Sequence, residues 1–171
     1  MVYRRRYRYR NKDKYSIEQT CIYTSTSANW PVVAADPDNL TQESRQFSIS
    51  VTPPTTIQGM RKVKHLTLSL SNYTSTGESI PIVYAIVYVP QGYEPQPINY
   101  PAADSGTSLY PANQFVMSSG VIDFSGGPCR IRTPLSRNLN SGDSIQLIAA
   151  VPSSQQNASF VAHIKYAITL Q

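Results

Sequence analysis

Residues 60–72 read MRKVKHLTLSLSN, and after a basic opening the stretch alternates cleanly: Leu66, Leu68 and Leu70 fall on one side, Thr67, Ser69 and Ser71 on the other. Successive side chains of an extended chain point to opposite faces, so this pattern predicts a strand with one face packed and the other meeting water or a polar neighbour. Residues 79–89 differ. There Ile82, Tyr84, Ile86 and Tyr88 oppose Val83, Ala85, Val87 and Val89, which leaves both faces apolar and predicts a central strand or one at a subunit contact.

Working outward, further strands are expected at 17–26, 44–51, 113–118, 121–125, 129–133, 144–151 and 158–170, and no window shows convincing helical periodicity. Breaker clusters separate them: Thr52-Pro53-Pro54, Ser75-Thr76-Gly77, Gly126-Gly127-Pro128, Asn140-Ser141-Gly142-Asp143 and Pro152-Ser153-Ser154. Eight or nine strands divided in this way predict an all-β, two-sheet sandwich. A chain of 171 residues suits one such domain with a tail, long enough to bury roughly 70% of the surface its unfolded form exposes.

Two connections break the rhythm. Residues 90–112 hold five of the thirteen prolines, with Tyr93, Tyr100 and Tyr110 and no Lys or Arg. A loop this long is usually functional, so it is expected to make subunit contacts or display an outer surface; the alternative is a Pro-stiffened cover over apolar surface. Residues 28–42 form a second excursion, in which Trp30 is expected to be a packing anchor.

Motifs for chemistry are missing. There is no GxSxG, P-loop, Gly-rich dinucleotide turn, paired carboxylates or HExxH, and the acids stand singly, which argues against an enzyme. His65 and His163 read as strand residues. Cys21 and Cys129 are too few for a disulfide framework or, with two histidines, a metal site, and are expected as buried free thiols; no cofactor is implied. The sequons at Asn39, Asn72 and Asn157 read as polar loop residues. The longest apolar run, residues 82–89, falls well short of the ~20 a membrane helix needs, so no membrane insertion is expected.

The charge is concentrated at the N-terminus, MVYRRRYRYRNKDK. Arg4, Arg5, Arg6, Arg8, Arg10, Lys12 and Lys14 stand against Asp13 alone; seven cations less one acid leave +6. Residues 15–171 hold the other eight Lys/Arg and nine Asp/Glu, a net of −1. Like charges at this density repel in any compact form, so residues 1–15 are expected to be a disordered arm on a domain spanning 16–171. Arginine forks make bidentate phosphate contacts, while Tyr7 and Tyr9, with Tyr3 and Tyr15, can stack on unpaired bases. A single-stranded nucleic acid satisfies both. The same run also fits a nuclear localisation signal. Arg61, Lys62 and Lys64, which open a strand, are expected to extend the footprint, with Arg130, Arg132 and Lys165 as weaker candidates.

An Arg/Tyr-rich start leading directly into a Pro-looped β domain without enzyme motifs resembles the capsid proteins of small circular single-stranded DNA viruses (CRESS-DNA viruses). The specific part is RRRYRYR at residues 4–10, similar to circovirus-type arms, and the length is close to that of nanovirus coat proteins. The resemblance implies a single eight-stranded antiparallel jelly roll and self-assembly of sixty copies into a T=1 icosahedral shell, the virion. It also implies an arm that lines the interior on the genome, and entry of new subunits into the host nucleus through the nuclear import machinery. Two alternatives stay open: a coat protein of a satellite or other small single-stranded RNA virus, and a non-assembling cellular β-sandwich that binds nucleic acid.

Overall fold

The computed structural model describes residues 15–25, 30–72, 81–110, 115–123, 128–154 and 159–170; residues 1–14 of the expected arm lie outside them. Among the described residues are ten strands and a single 3-10 turn, Pro37–Asn39. The strands are β1 (Ser16–Ser25), β2 (Val32–Val33), β3 (Ser44–Thr52), β4 (Arg61–Asn72), β5 (Ile82–Val89), β6 (Phe115–Ile122), β7 (Cys129–Arg132), β8 (Arg137–Leu139), β9 (Ser144–Pro152) and β10 (Ser159–Leu170).

They make two antiparallel sheets. The first runs β1-β10-β4-β7, with β8 also pairing β4; the second runs β2-β3-β9-β5-β6. Setting aside the short β2 and β8, the eight long strands numbered afresh give 1-8-3-6 facing 2-7-4-5, so that every connection crosses between sheets except the one joining β5 and β6. That weave of two Greek keys is a jelly roll. The expected all-β, eight-stranded jelly roll is the fold; β2 adds a short edge strand to the second sheet, and β8 lies in line with β7 along the same side of β4.

The core lies between the sheets. Leu66, Leu68 and Leu70 of β4 and Phe160, Ala162 and Ile164 of β10 meet Tyr84, Ile86, Leu147, Ala149 and Val151 of the second sheet. Trp30 closes one side as the expected anchor. It is 4% exposed, stacks on Phe47 and tilts against Phe160 at 5.4 Å each, and its Nε1 donates to Thr24 Oγ1 at 2.9 Å.

Three expectations need correction. The two short strands at 113–118 and 121–125 are one continuous strand, β6, and Gly120 is no turn: it pairs with Tyr84, where a Cβ would come within 3.2 Å of the tyrosine ring. The cysteines are not buried, because Cys21 sits exposed on an edge strand and Cys129 is half-buried. Asn72 ends β4 rather than sitting in a loop.

The apolar second face of β5 is explained within the chain. Ala85, Val87 and Val89, with Ile148 and Ala150 of β9, form a second core outside the second sheet, roofed by Ile98, Tyr100 and Tyr110. The proline-rich loop is therefore a cover, and β5 is a central strand between β9 and β6. Gln46 of β3 clasps the roof in place: its Nε2 donates to the Ile98 carbonyl and its Oε1 accepts from the Ile98 N–H, both at 2.6 Å. Burial under the roof pushes the Tyr110 phenol well above its ordinary pKa.

Candidate nucleic-acid interface

The second sheet is roofed on its outer side; among the described residues no such cluster covers the outer face of the first sheet. Its composition follows from register. Lys165 of β10 pairs with Thr67 of β4, which pairs with Arg132 of β7; one step along, His163 pairs with Ser69, which pairs with Arg130. Neighbouring strands lie about 4.8 Å apart and alternate residues about 6.8 Å apart, so the backbones of Lys165, Arg132 and Arg130 come within roughly 12 Å of each other although Lys165 is distant in sequence from the two arginines. His65, Thr67, Arg130, Arg132, Thr133 and Lys165 line a shallow groove there.

A bulge shapes one end of this face. His65 has φ +55°, and β4 carries one residue more than β10 between the pairs Lys64–Ala167 and Thr67–Lys165. The extra residue resets the alternation: Arg61 and Val63 point inward before it, Leu66, Leu68 and Leu70 after it. Lys62 and Lys64 therefore fall on the outer face, and His65 joins them there, exposed. The signal lies in the sequence, where Val63 and Leu66 stand three apart and break the period of two.

Arg61 does not belong to this surface. It is 9% exposed, its Nη1 donates to the Pro53 carbonyl and its Nη2 to the Asp143 carbonyl, both at 3.1 Å, so its guanidinium ties loop backbone inside the domain. The expectation that Arg61 contacts nucleic acid is corrected, since alternation turns it inward. Of the strand-opening trio only Lys62 and Lys64 are placed to meet a ligand. Arg137, overlooked in the sequence, is also occupied: it lies over the Tyr88 ring at 4.3 Å and the Phe115 ring at 5.0 Å.

Acids keep to other places. Asp143 is buried and accepts from the Tyr88 hydroxyl at 2.8 Å and from the Gln91 and Asn140 N–H groups at 3.0 and 2.8 Å. Burial, and then this bond to Asp143, raises the Tyr88 phenol pKa. Glu18 of β1 pairs with the core residue Tyr166 and so lies on the opposite side of its strand from the open face. Among the described residues, then, the open face carries Lys62, Lys64, Arg130, Arg132 and Lys165 with no carboxylate beside them. No group of three His, Cys, Asp or Glu able to hold a metal occurs among the described residues.

The chain joins this sheet at a telling position. Ser16 pairs with Ile168, and Ile168 pairs with Val63, so the point where residues 1–15 meet β1 lies two strands from Lys62 and Lys64, about 10 Å away. Arg4, Arg5, Arg6, Tyr7, Arg8, Tyr9, Arg10, Lys12 and Lys14 themselves lie outside the described residues.

Fold and surface together define a jelly-roll domain with one roofed face and one open cationic face. No family model matches the chain, and no curated protein matches it. Among solved structures it is similar to "Israeli acute paralysis virus heated to 63 degree - full particle", at 11% identity and a TM-score of 0.41 over 93% of this chain and 70% of that one. It is also similar to "Structure of infectious bursal disease virus Gt strain", at 10% identity and a TM-score of 0.37 over 92% of this chain and 32% of that one. At such scores neither likeness assigns a family.

Proposed function

We propose that the chain is a structural coat protein: sixty copies assemble into a small icosahedral shell, and the arm packages a single-stranded DNA genome. The observation that carries the proposal is that a sequence with seven cations in residues 4–14 leads directly into β1, an edge strand of the sheet whose outer face is basic. A fourteen-residue arm reaches about 45–50 Å when extended, enough to follow a polynucleotide well beyond its own domain. Arginine forks suit phosphates and the interleaved tyrosines suit unpaired bases, so a single strand satisfies both. Copies can pack side by side because the net charge of residues 15–171 is only −1, while the repelling cations are gathered where nucleic acid neutralises them. The same cationic run serves, on this reading, as the nuclear import signal.

Negative-stain imaging of the expressed protein, followed by nuclease treatment of extracted nucleic acid, tests the proposal. Uniform small shells with DNase-sensitive contents are expected. RNase-sensitive contents would move the assignment to an RNA virus coat protein, and persistent monomers at every salt and protein concentration would leave a non-assembling nucleic-acid-binding domain.

A further inference from the structure

We infer that the open outer face of the first sheet is itself a binding surface for a single nucleic-acid strand, with phosphates on Arg130, Arg132 and Lys165 and a base stacked on Tyr23. This rests on the nucleic-acid reading above and extends it from the arm to the folded domain. The three cations come from two strands, β7 and β10, on either side of β4, and only the register brings them together. Arg130, Arg132 and Lys165 are exposed and line one groove with His65 and Thr67, whose side chains supply further hydrogen-bonding groups between the charges.

Charge complementarity selects a polyanion, and Tyr23 selects among polyanions. Tyr23 lies on the same outer face, at the β1 edge, two residues along from Cys21, which pairs with His163. Its side chain is 62% exposed, yet its hydroxyl donates to Ser159 Oγ at 3.1 Å, which holds the ring down along the sheet with area open to solvent. An acidic peptide would satisfy the cations and leave that ring idle, and a duplex keeps its bases stacked within itself. A single strand presents phosphates and free base faces together. The opposite side of the molecule offers no equivalent, because the second sheet is roofed by a loop that contains no Lys or Arg and carries Glu94 and Asp104.

The test uses the full chain and a labelled oligothymidylate, with affinity measured over a series of salt concentrations. Replacing three phosphate contacts in R130Q/R132Q/K165Q is expected to flatten the slope of log K against log salt by about 2, from roughly 0.7 per contact on a single strand. Tyr23→Ala is expected to weaken oligothymidylate binding about tenfold, the loss of one stacked base, while binding of inorganic polyphosphate stays unchanged. In the unaltered protein, ultraviolet cross-links to the oligothymidylate are expected on the peptide that holds Tyr23, a readout that needs no variant to fold.

An unchanged slope in the triple variant, or cross-links confined to residues 1–15, would overturn the inference while leaving the arm reading intact. Equal loss of polyphosphate and oligothymidylate binding in Tyr23→Ala would make the ring structural and remove the stacking contact. A wild-type protein without salt-dependent binding would instead overturn the underlying nucleic-acid reading.

Discussion

Arg61 and Lys62 are neighbours in the chain and serve opposite sides of the same sheet. Arg61 holds the carbonyls of Pro53 and Asp143 from inside, and the half-buried Lys62 lies on the outer face. Replacing them separates stability from binding. Arg61→Gln is expected to lower unfolding free energy by about 2–3 kcal/mol, since two charge-assisted bonds to buried carbonyls go, and to leave nucleic-acid affinity unchanged. Lys62→Gln is expected to do the reverse: an unchanged urea midpoint, and a salt slope lower by about 0.7. Urea titration and oligonucleotide binding on the same two proteins check both halves. The residue scale is also where the sequence misleads most easily, because Arg61 sits among basic residues and only the parity of its strand turns it inward.

At the scale of elements, the roof over the second sheet hangs on the paired bonds from Gln46 to Ile98. Gln46→Ala would strand the Ile98 N–H and carbonyl in a buried site, at a cost of about 1–3 kcal/mol, and should free residues 90–110 to proteolysis before the domain unfolds. Limited digestion followed by mass spectrometry would show early cuts there, whereas uniform resistance would mean the roof is held by its apolar contacts alone. Much of this architecture was legible beforehand. Period-two alternation located β3, β4, β5, β9 and β10, because a sandwich strand wears its burial pattern openly. Strand β6 is one strand where two were expected: Gly120, a weak strand former, fits inside it because the Tyr84 ring takes the space a side chain would need. The two-residue β2 and three-residue β8 carry too little pattern to detect. Charge made the arm plain, but nothing local to Arg130, Arg132 or Lys165 announces that they share a groove. Register between distant strands decides that, and register belongs to topology.

Across the whole molecule the charge is divided unevenly, with a net +6 in residues 1–14 and −1 in residues 15–171. Deleting residues 2–14 removes a net +6 and none of the described strands or core, so the domain should keep its thermal unfolding midpoint within a few degrees. Particles formed by the deletion protein should have lost most of their nucleic acid, read as the ratio of absorbance at 260 to 280 nm; an unchanged ratio would remove the arm from packaging. One feature of the weave also bears on how subunits come into being. Among the described residues strand β1 pairs only with β10, and the bond from Tyr23 to Ser159 spans 136 residues. A ribosome adding about 5–20 residues per second needs roughly 7–27 s to cover that distance, during which β1 has no partner. Strand β4 waits for the same neighbour, so Lys165 enters the groove beside Arg132 only after β10 has emerged. A chain broken off before residue 159 carries the cationic arm but never completes the sheet behind it. The finished face thus exists only once translation has passed β10.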